Sequence, residues 1–165
     1  TQLLRNPLAA GAKGTRLSVV VNFSSSAINA VKELDARTLT NPESIGGLMG
    51  AYATSKAALT AVSNLMQEEL LEDGVLIQVV DPGPTKTSMT GSSDGMPWYL
   101  RLLRPLLFKS AKIQAQKLIS AVETAVSEGR AGLFISEGRS KPYPPITLNK
   151  DIQTEIKLLL DTQIQ

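Results

Sequence analysis

A chain of 165 residues with 42% hydrophobic and 19% charged side chains is long enough for one domain with a buried core and too apolar for a disordered segment. A formal net charge of +2 and an aromatic content of 4% argue against a basic stripe for nucleic acid or a stacking platform for single strands. Cys and His are both absent, which removes disulfides, thiolate and imidazole metal sites, Cys nucleophiles and Ser-His-Asp hydrolysis, so acid–base chemistry falls to Tyr, Lys, Asp or Glu and no metal site is expected.

In chain order, Thr1–Leu8 has the pattern of a helix end rather than a leader. Leu17–Phe23 (LSVVVNF) is a nearly continuous apolar run, which predicts a strand buried on both faces of a parallel sheet. Ser24–Gly50 is polar and punctuated; it predicts a loop with one short helix, capped by Asn41 with Pro42 in its first turn. Ala51–Glu72 carries Leu59, Val62, Leu65, Met66 and Leu70 at helical spacing, and Asp73-Gly74 predicts its stop. Val75–Val80 (VLIQVV) predicts a second buried strand, ended by Asp81-Pro82-Gly83-Pro84.

Pro97–Phe108 is apolar with two Arg. Lys109–Glu128 predicts a helix with Ile113, Leu118, Ile119, Val122 and Val126 as inner residues and Gly129 as cap. Leu133–Ser136 predicts a third strand, Ser140–Pro145 a connection, and Asp151–Asp161 a final amphipathic helix. Strands alternating with helices imply a parallel α/β sheet with right-handed crossovers. Ligands of such sheets sit beyond the carboxyl ends of the strands, which here points to Ser24–Ser26 and Pro82–Thr87.

Tyr52 and Lys56 stand four apart at the start of the long helix, which places both side chains on one face. An ammonium beside a phenol favours the phenolate, and a phenol so placed can give a proton to a carbonyl oxygen or take one from an alcohol. A Ser hydroxyl from the first loop can bind the same substrate oxygen. Tyr-x-x-x-Lys by itself occurs in many helices; its weight comes from the segments on either side.

Val20-Val21-Asn22-Phe23-Ser24-Ser25, then Tyr52-Ala53-Thr54-Ser55-Lys56, then Asp81-Pro82-Gly83-Pro84-Thr85-Lys86-Thr87 follow one another in this order. Together they resemble the short-chain dehydrogenase/reductase family, whose pattern is a strand ending Asn-x-Ser-Ser, then Tyr-x-x-x-Lys, then Pro-Gly followed by Thr. The resemblance implies a Rossmann-like parallel sheet, the C-terminal part of a doubly wound fold. It implies an NAD(P)-dependent oxidoreductase that interconverts an alcohol and a carbonyl, with NADP favoured over NAD. Carried over by position, it implies Ser25 as the substrate-binding Ser ahead of Ser24 and Ser26, Tyr52 as acid/base, and Lys56 as partner of the Tyr and of the nicotinamide ribose. It also implies Pro82 and Gly83 as the bend beside the nicotinamide, with Thr85 and Thr87 as further contacts.

The family's Gly-rich phosphate turn has no counterpart among these residues, and neither has the Asn of the helix before the Ser strand; Thr1–Leu4 resembles the later part of that helix. The expectation is one partial Rossmann-fold domain over 1–165, inactive alone, with its leading strand exposing an apolar edge. Titrated alone by calorimetry with NADPH, such a chain should give no saturable micromolar binding. A truncated relative serving as an interaction or regulatory module is the alternative.

The gap from Ser25 to Tyr52 exceeds the common family spacing, which places an insertion at about 28–44. This insertion fits the cleft, a dimer helix or a bland surface loop. A substrate lid is expected at about 88–108. Its apolar residues resemble the retinol-dehydrogenase-like branch and imply a lipophilic alcohol or carbonyl substrate, and carbonyl reductases of the family share the insertion. The same residues equally suit packing onto the sheet, and Arg101 and Arg104 beside Leu also suit a helix at a membrane interface. A cytoplasmic protein, without membrane contact and able to form homo-oligomers, completes the expectation.

Overall fold

The computed structural model describes residues 2–12, 17–40, 47–86 and 109–164. A helix α1 (Arg5–Gly11) leads into strand β1 (Ser18–Phe23). A 3-10 turn (Ser26–Ala30) and helix α2 (Ala36–Thr40) precede the long helix α3 (Gly47–Leu70). Strands β2 (Val75–Asp81), β3 (Thr85–Lys86) and β4 (Lys109–Ser110), helix α4 (Ala111–Ser127), strands β5 (Leu133–Ser136) and β6 (Arg139–Lys141) and helix α5 (Lys150–Ile164) complete the order.

The main sheet runs β1-β2-β5-β6, with β1, β2 and β5 parallel and β6 antiparallel. This is the expected α/β architecture, and the register places Phe23 beside Val80 and Asp81 beside Ser136, so three carboxyl ends align. All of β2 is buried, as a central strand of branched residues requires. β1 departs from its expectation. It is half-buried rather than enclosed, and Phe23 is 56% exposed, because among the described residues β2 is its only strand neighbour. The exposed apolar edge expected of the leading strand is therefore present.

α3 lies on one face of the sheet and is covered in turn by α5. Its buried seam is built mainly from Ala53, Ala57, Ala58, Ala61, Val62, Met66 and Leu70, whereas Leu59 and Leu65 are half-buried. The alanines let the helix approach the strands closely, a role that hydrophobic spacing of large residues does not reveal. Gly74 stops the turn after the helix at φ 70°. α4 covers the other face through Leu118 against Val80 and Ile135.

Three expectations need correction. The inner face of α4 is Gln114, Leu118 and Ala125, while Ile113 and Ile119 are 52% and 57% exposed. The helix turns Gln114 inward because its Nε2 donates to the Pro82 carbonyl. Residues 140–141 belong to β6 rather than to a connection, since Glu137-Gly138 forms a tight turn with both φ positive. Ser26–Ala30 and Ala36–Thr40 form two short helical elements in a stretch expected to be loop up to Asn41. The Asn41 cap and Pro42 lie outside the described residues.

Tyr143 packs on Phe134 with ring centroids 6.0 Å apart, and its hydroxyl is buried with no hydrogen-bond partner among the described residues. Burial pushes this phenol up to about 12. Its folded value lies above the ordinary phenol value of 10.0, so its contribution to stability is whole below pH 10 and is lost as pH rises through about 12. Tyr143→Phe should therefore keep or gain about 1 kcal/mol at neutral pH and soften the alkaline unfolding, as measured by urea melts across that window.

Candidate active site

The carboxyl ends of β1 and β2 and the first turns of α3 form one neighbourhood. Lys56 Nζ donates to the Phe23 carbonyl at 2.8 Å, which ties the helix to the end of β1. The same ammonium lies 5.9 Å from the centroid of the Tyr52 ring, within cation–π range. Tyr52 is 42% exposed, so a substrate has access to its side chain. Of the three N–H donors of Lys56, one is given to Phe23.

The three serines after β1 have separate surroundings. Ser24 is buried and its Oγ shares a 2.7 Å hydrogen bond with Thr60 Oγ1, while its backbone N–H donates to Val80 O at 2.7 Å. Ser25 is half-buried, and its Oγ accepts from the Ala27 N–H at 3.2 Å as cap of the 3-10 turn. Its own O–H remains a donor, but it makes no hydrogen bond to Tyr52 or Lys56. Ser26 is exposed. Within α3, Thr60 Oγ1 donates to Lys56 O at 2.8 Å, which orients the Ser24 partner, and one further bond fixes α3 to β1: Asn22 Nδ2 donates to Ser63 Oγ at 2.8 Å.

The Pro82–Gly83 bend follows β2. Gly83 takes φ 67°, and its N–H donates to Asp81 Oδ1 at 2.9 Å. Asp81 is buried, and its other oxygen accepts from Ser136 Oγ at 3.0 Å. Thr85 Oγ1 donates to Gly83 O at 2.9 Å, and β3 pairs in parallel with β4. Thr87 and the lid at about 88–108 lie outside the described residues. Asp81 and Gln114, which hold the bend, were not singled out in the sequence; the Asp-Pro-Gly turn pattern is a signal for Asp81, whereas nothing local marks Gln114.

Residues 41–97, which include Tyr52, Lys56 and the Pro82–Thr85 turn, match the family described as short chain dehydrogenase. The chain is homologous to short-chain dehydrogenases. It is 43% identical over 61 residues to mouse (Mus musculus) estradiol 17-beta-dehydrogenase 2, covering 34% of this chain and 16% of that protein. It is 31% identical over 109 residues to zebrafish (Danio rerio) polyprenol dehydrogenase, covering 64% of this chain and 34% of that protein. The crystal structure of NADPH-bound carbonyl reductase from chicken fatty liver superposes with a TM-score of 0.56 at 20% identity, over 82% of this chain and 48% of the reductase. That likeness establishes a Rossmann-like fold. The chain thus spans about a third or less of the length of these two dehydrogenases.

Within this homology, the donors at the strand ends suit the nicotinamide ribose end of a dinucleotide: an ammonium, an accessible phenol and a backbone bend with a positive-φ glycine.

Proposed function

We propose that these residues form the reaction end of an NAD(P)-dependent oxidoreductase acting on a lipophilic alcohol or ketone. The observation that carries this is the joint position of Tyr52 and Lys56 on one face of α3, with the ammonium bonded to the last carbonyl of β1 and near the phenol ring. When bound, the nicotinamide supplies or accepts the hydride. Lys56, Pro82, Gly83, Thr85 and Thr87 would hold its end of the cofactor, with NADP favoured. Tyr52 gives its hydroxyl proton to the carbonyl oxygen in reduction and takes a proton from the alcohol in oxidation. The Lys56 charge steadies the phenolate that results. Ser25 donates a hydrogen bond to the same oxygen, where negative charge develops.

One consideration supports a lipophilic substrate. The names of two relatives carry estradiol and polyprenol, both largely hydrocarbon alcohols.

The serines give the experiment, made on a protein that holds this segment beside a phosphate-binding turn. Ser25→Ala should lower turnover of NADPH with a lipophilic ketone about a hundredfold while leaving stability nearly unchanged. Ser24→Ala should do the reverse, costing about 1 kcal/mol because the buried Ser24–Thr60 hydrogen bond is lost. Equal and small effects of both variants on turnover would sink the assignment.

A further inference from the structure

The bend after β2 is held by a residue distant along the chain, at the carboxyl end of the neighbouring strand β5. Glu137 sits between β5 and β6 at φ 52°, and it is the one non-glycine residue with positive φ among the described residues. L residues hold this conformation at a cost, so the site must fix it from outside. A Cβ built on Gly83 would come within 2.8 Å of both Cγ and Oε1 of Glu137, so the Glu137 side chain lies directly against the Gly83 backbone. Its Oε2 accepts from Lys109 Nζ. The Lys109 backbone N–H in turn donates to Pro84 O at 3.0 Å, and the Glu137 N–H donates to Asp81 O at 2.9 Å. Residues 81–84, 109 and 137, distant in sequence, therefore meet around one carboxylate. The Lys109 hydrogen bond holds this carboxyl below the usual range, so it is charged at neutral pH.

We propose that Glu137 is a positioning residue for the nicotinamide end of the cofactor: wedged against Gly83 and paired with Lys109, it sets the backbone of the Pro82–Thr85 bend. The ligand in this statement rests on the dehydrogenase reading, whereas the clamp rests on the contacts alone. The strained backbone separates the clamp from a merely structural role. Glu137→Gly relieves the positive φ, so the fold loses nothing at that residue, yet the bend loses its wedge.

The test uses a protein that holds this segment beside a phosphate-binding turn, with nicotinamide mononucleotide as a probe that carries only the reactive end of the cofactor. Amide exchange is read at Gly83 and Lys109, and binding is read from the Gly83 and Thr85 amide shifts. Glu137→Gln and Glu137→Gly should speed exchange at Gly83 and Lys109 roughly fivefold, the scale of a partly exposed ion pair. Both should weaken mononucleotide binding several-fold with an unchanged thermal midpoint. The reversed pair, Glu137→Lys with Lys109→Glu, should recover more of both readouts than either single reversal. Unchanged exchange in both variants overturns the clamp, and faster exchange with unchanged mononucleotide affinity overturns the positioning role. Absence of any mononucleotide shift at the unmutated bend overturns the cofactor reading, and the exchange arm then decides the clamp by itself.

Discussion

Tyr52→Phe is expected to lower turnover about a thousandfold, the middle of the range for a positioned general acid or base. The substitution removes one oxygen and keeps the ring, so the cation–π contact of Lys56 and the Lys56 bond to Phe23 both survive. Tyr52 is 42% exposed, and its hydroxyl makes no hydrogen bond among the described residues, so stability should stay within about 0.5 kcal/mol. Loss of activity without loss of fold therefore isolates the proton transfer. The measurement is NADPH oxidation with a lipophilic ketone, alongside a thermal melt, in a protein with a complete dinucleotide site. Lys56→Gln provides the comparison. It removes the charge and also the anchor on β1, so it should cost both activity and some stability. Near-normal turnover of Tyr52→Phe would remove the acid/base role from this residue.

The parts of this molecule that were legible in the sequence are those whose local chemistry matches their final place. β2 is a run of branched apolar residues and is buried throughout, so composition and location agree. Asp73-Gly74 ends its helix region because only a glycine accepts φ 70° at low cost. Tyr52 and Lys56 share a face by helical geometry alone. What was hidden depends on partners distant along the chain. Gln114 points inward only because Pro82 offers a carbonyl there, and that choice turns Ile113 and Ile119 out to solvent. β6 was concealed because Glu137 occupies a left-handed position that favours Gly or Asn. The alanine seam of α3 carries no hydrophobic peak, yet it sets how closely this helix approaches the sheet. The choice between Ser24 and Ser25 likewise depends on Thr60, since burial and pairing of Ser24 leave Ser25 as the more accessible hydroxyl.

Gln67→Leu should cost about 3 kcal/mol, a large share of the stability of an ordinary domain. β5 begins opposite Gln78, so the start of β2 extends beyond it. There the Gln67 side chain stands in for the missing strand: Oε1 accepts from the Ile77 N–H and, at 3.3 Å, from the Gly132 N–H, while Nε2 donates to Val75 O at 3.3 Å. Leu fills nearly the same space and answers none of these groups. Each polar group left buried and unpaired costs about 1–3 kcal/mol, and Gly132, at the less buried end, regains water. Ile119→Ser on the exposed face of α4 should change stability by less than about 0.5 kcal/mol, which calibrates the urea melts. Other bonds hold α3 nearer the Tyr52–Lys56 pair. Lys56 on Phe23, Thr60 on Ser24 and Ser63 on Asn22 fix the helix to β1 and the residue after it, independently of Gln67. Gln67→Leu should therefore lower the melting temperature while each folded molecule keeps the Tyr52–Lys56 geometry. A loss below about 1 kcal/mol would mean that water reaches the start of β2, and that the helix is held to the sheet chiefly by its alanine seam.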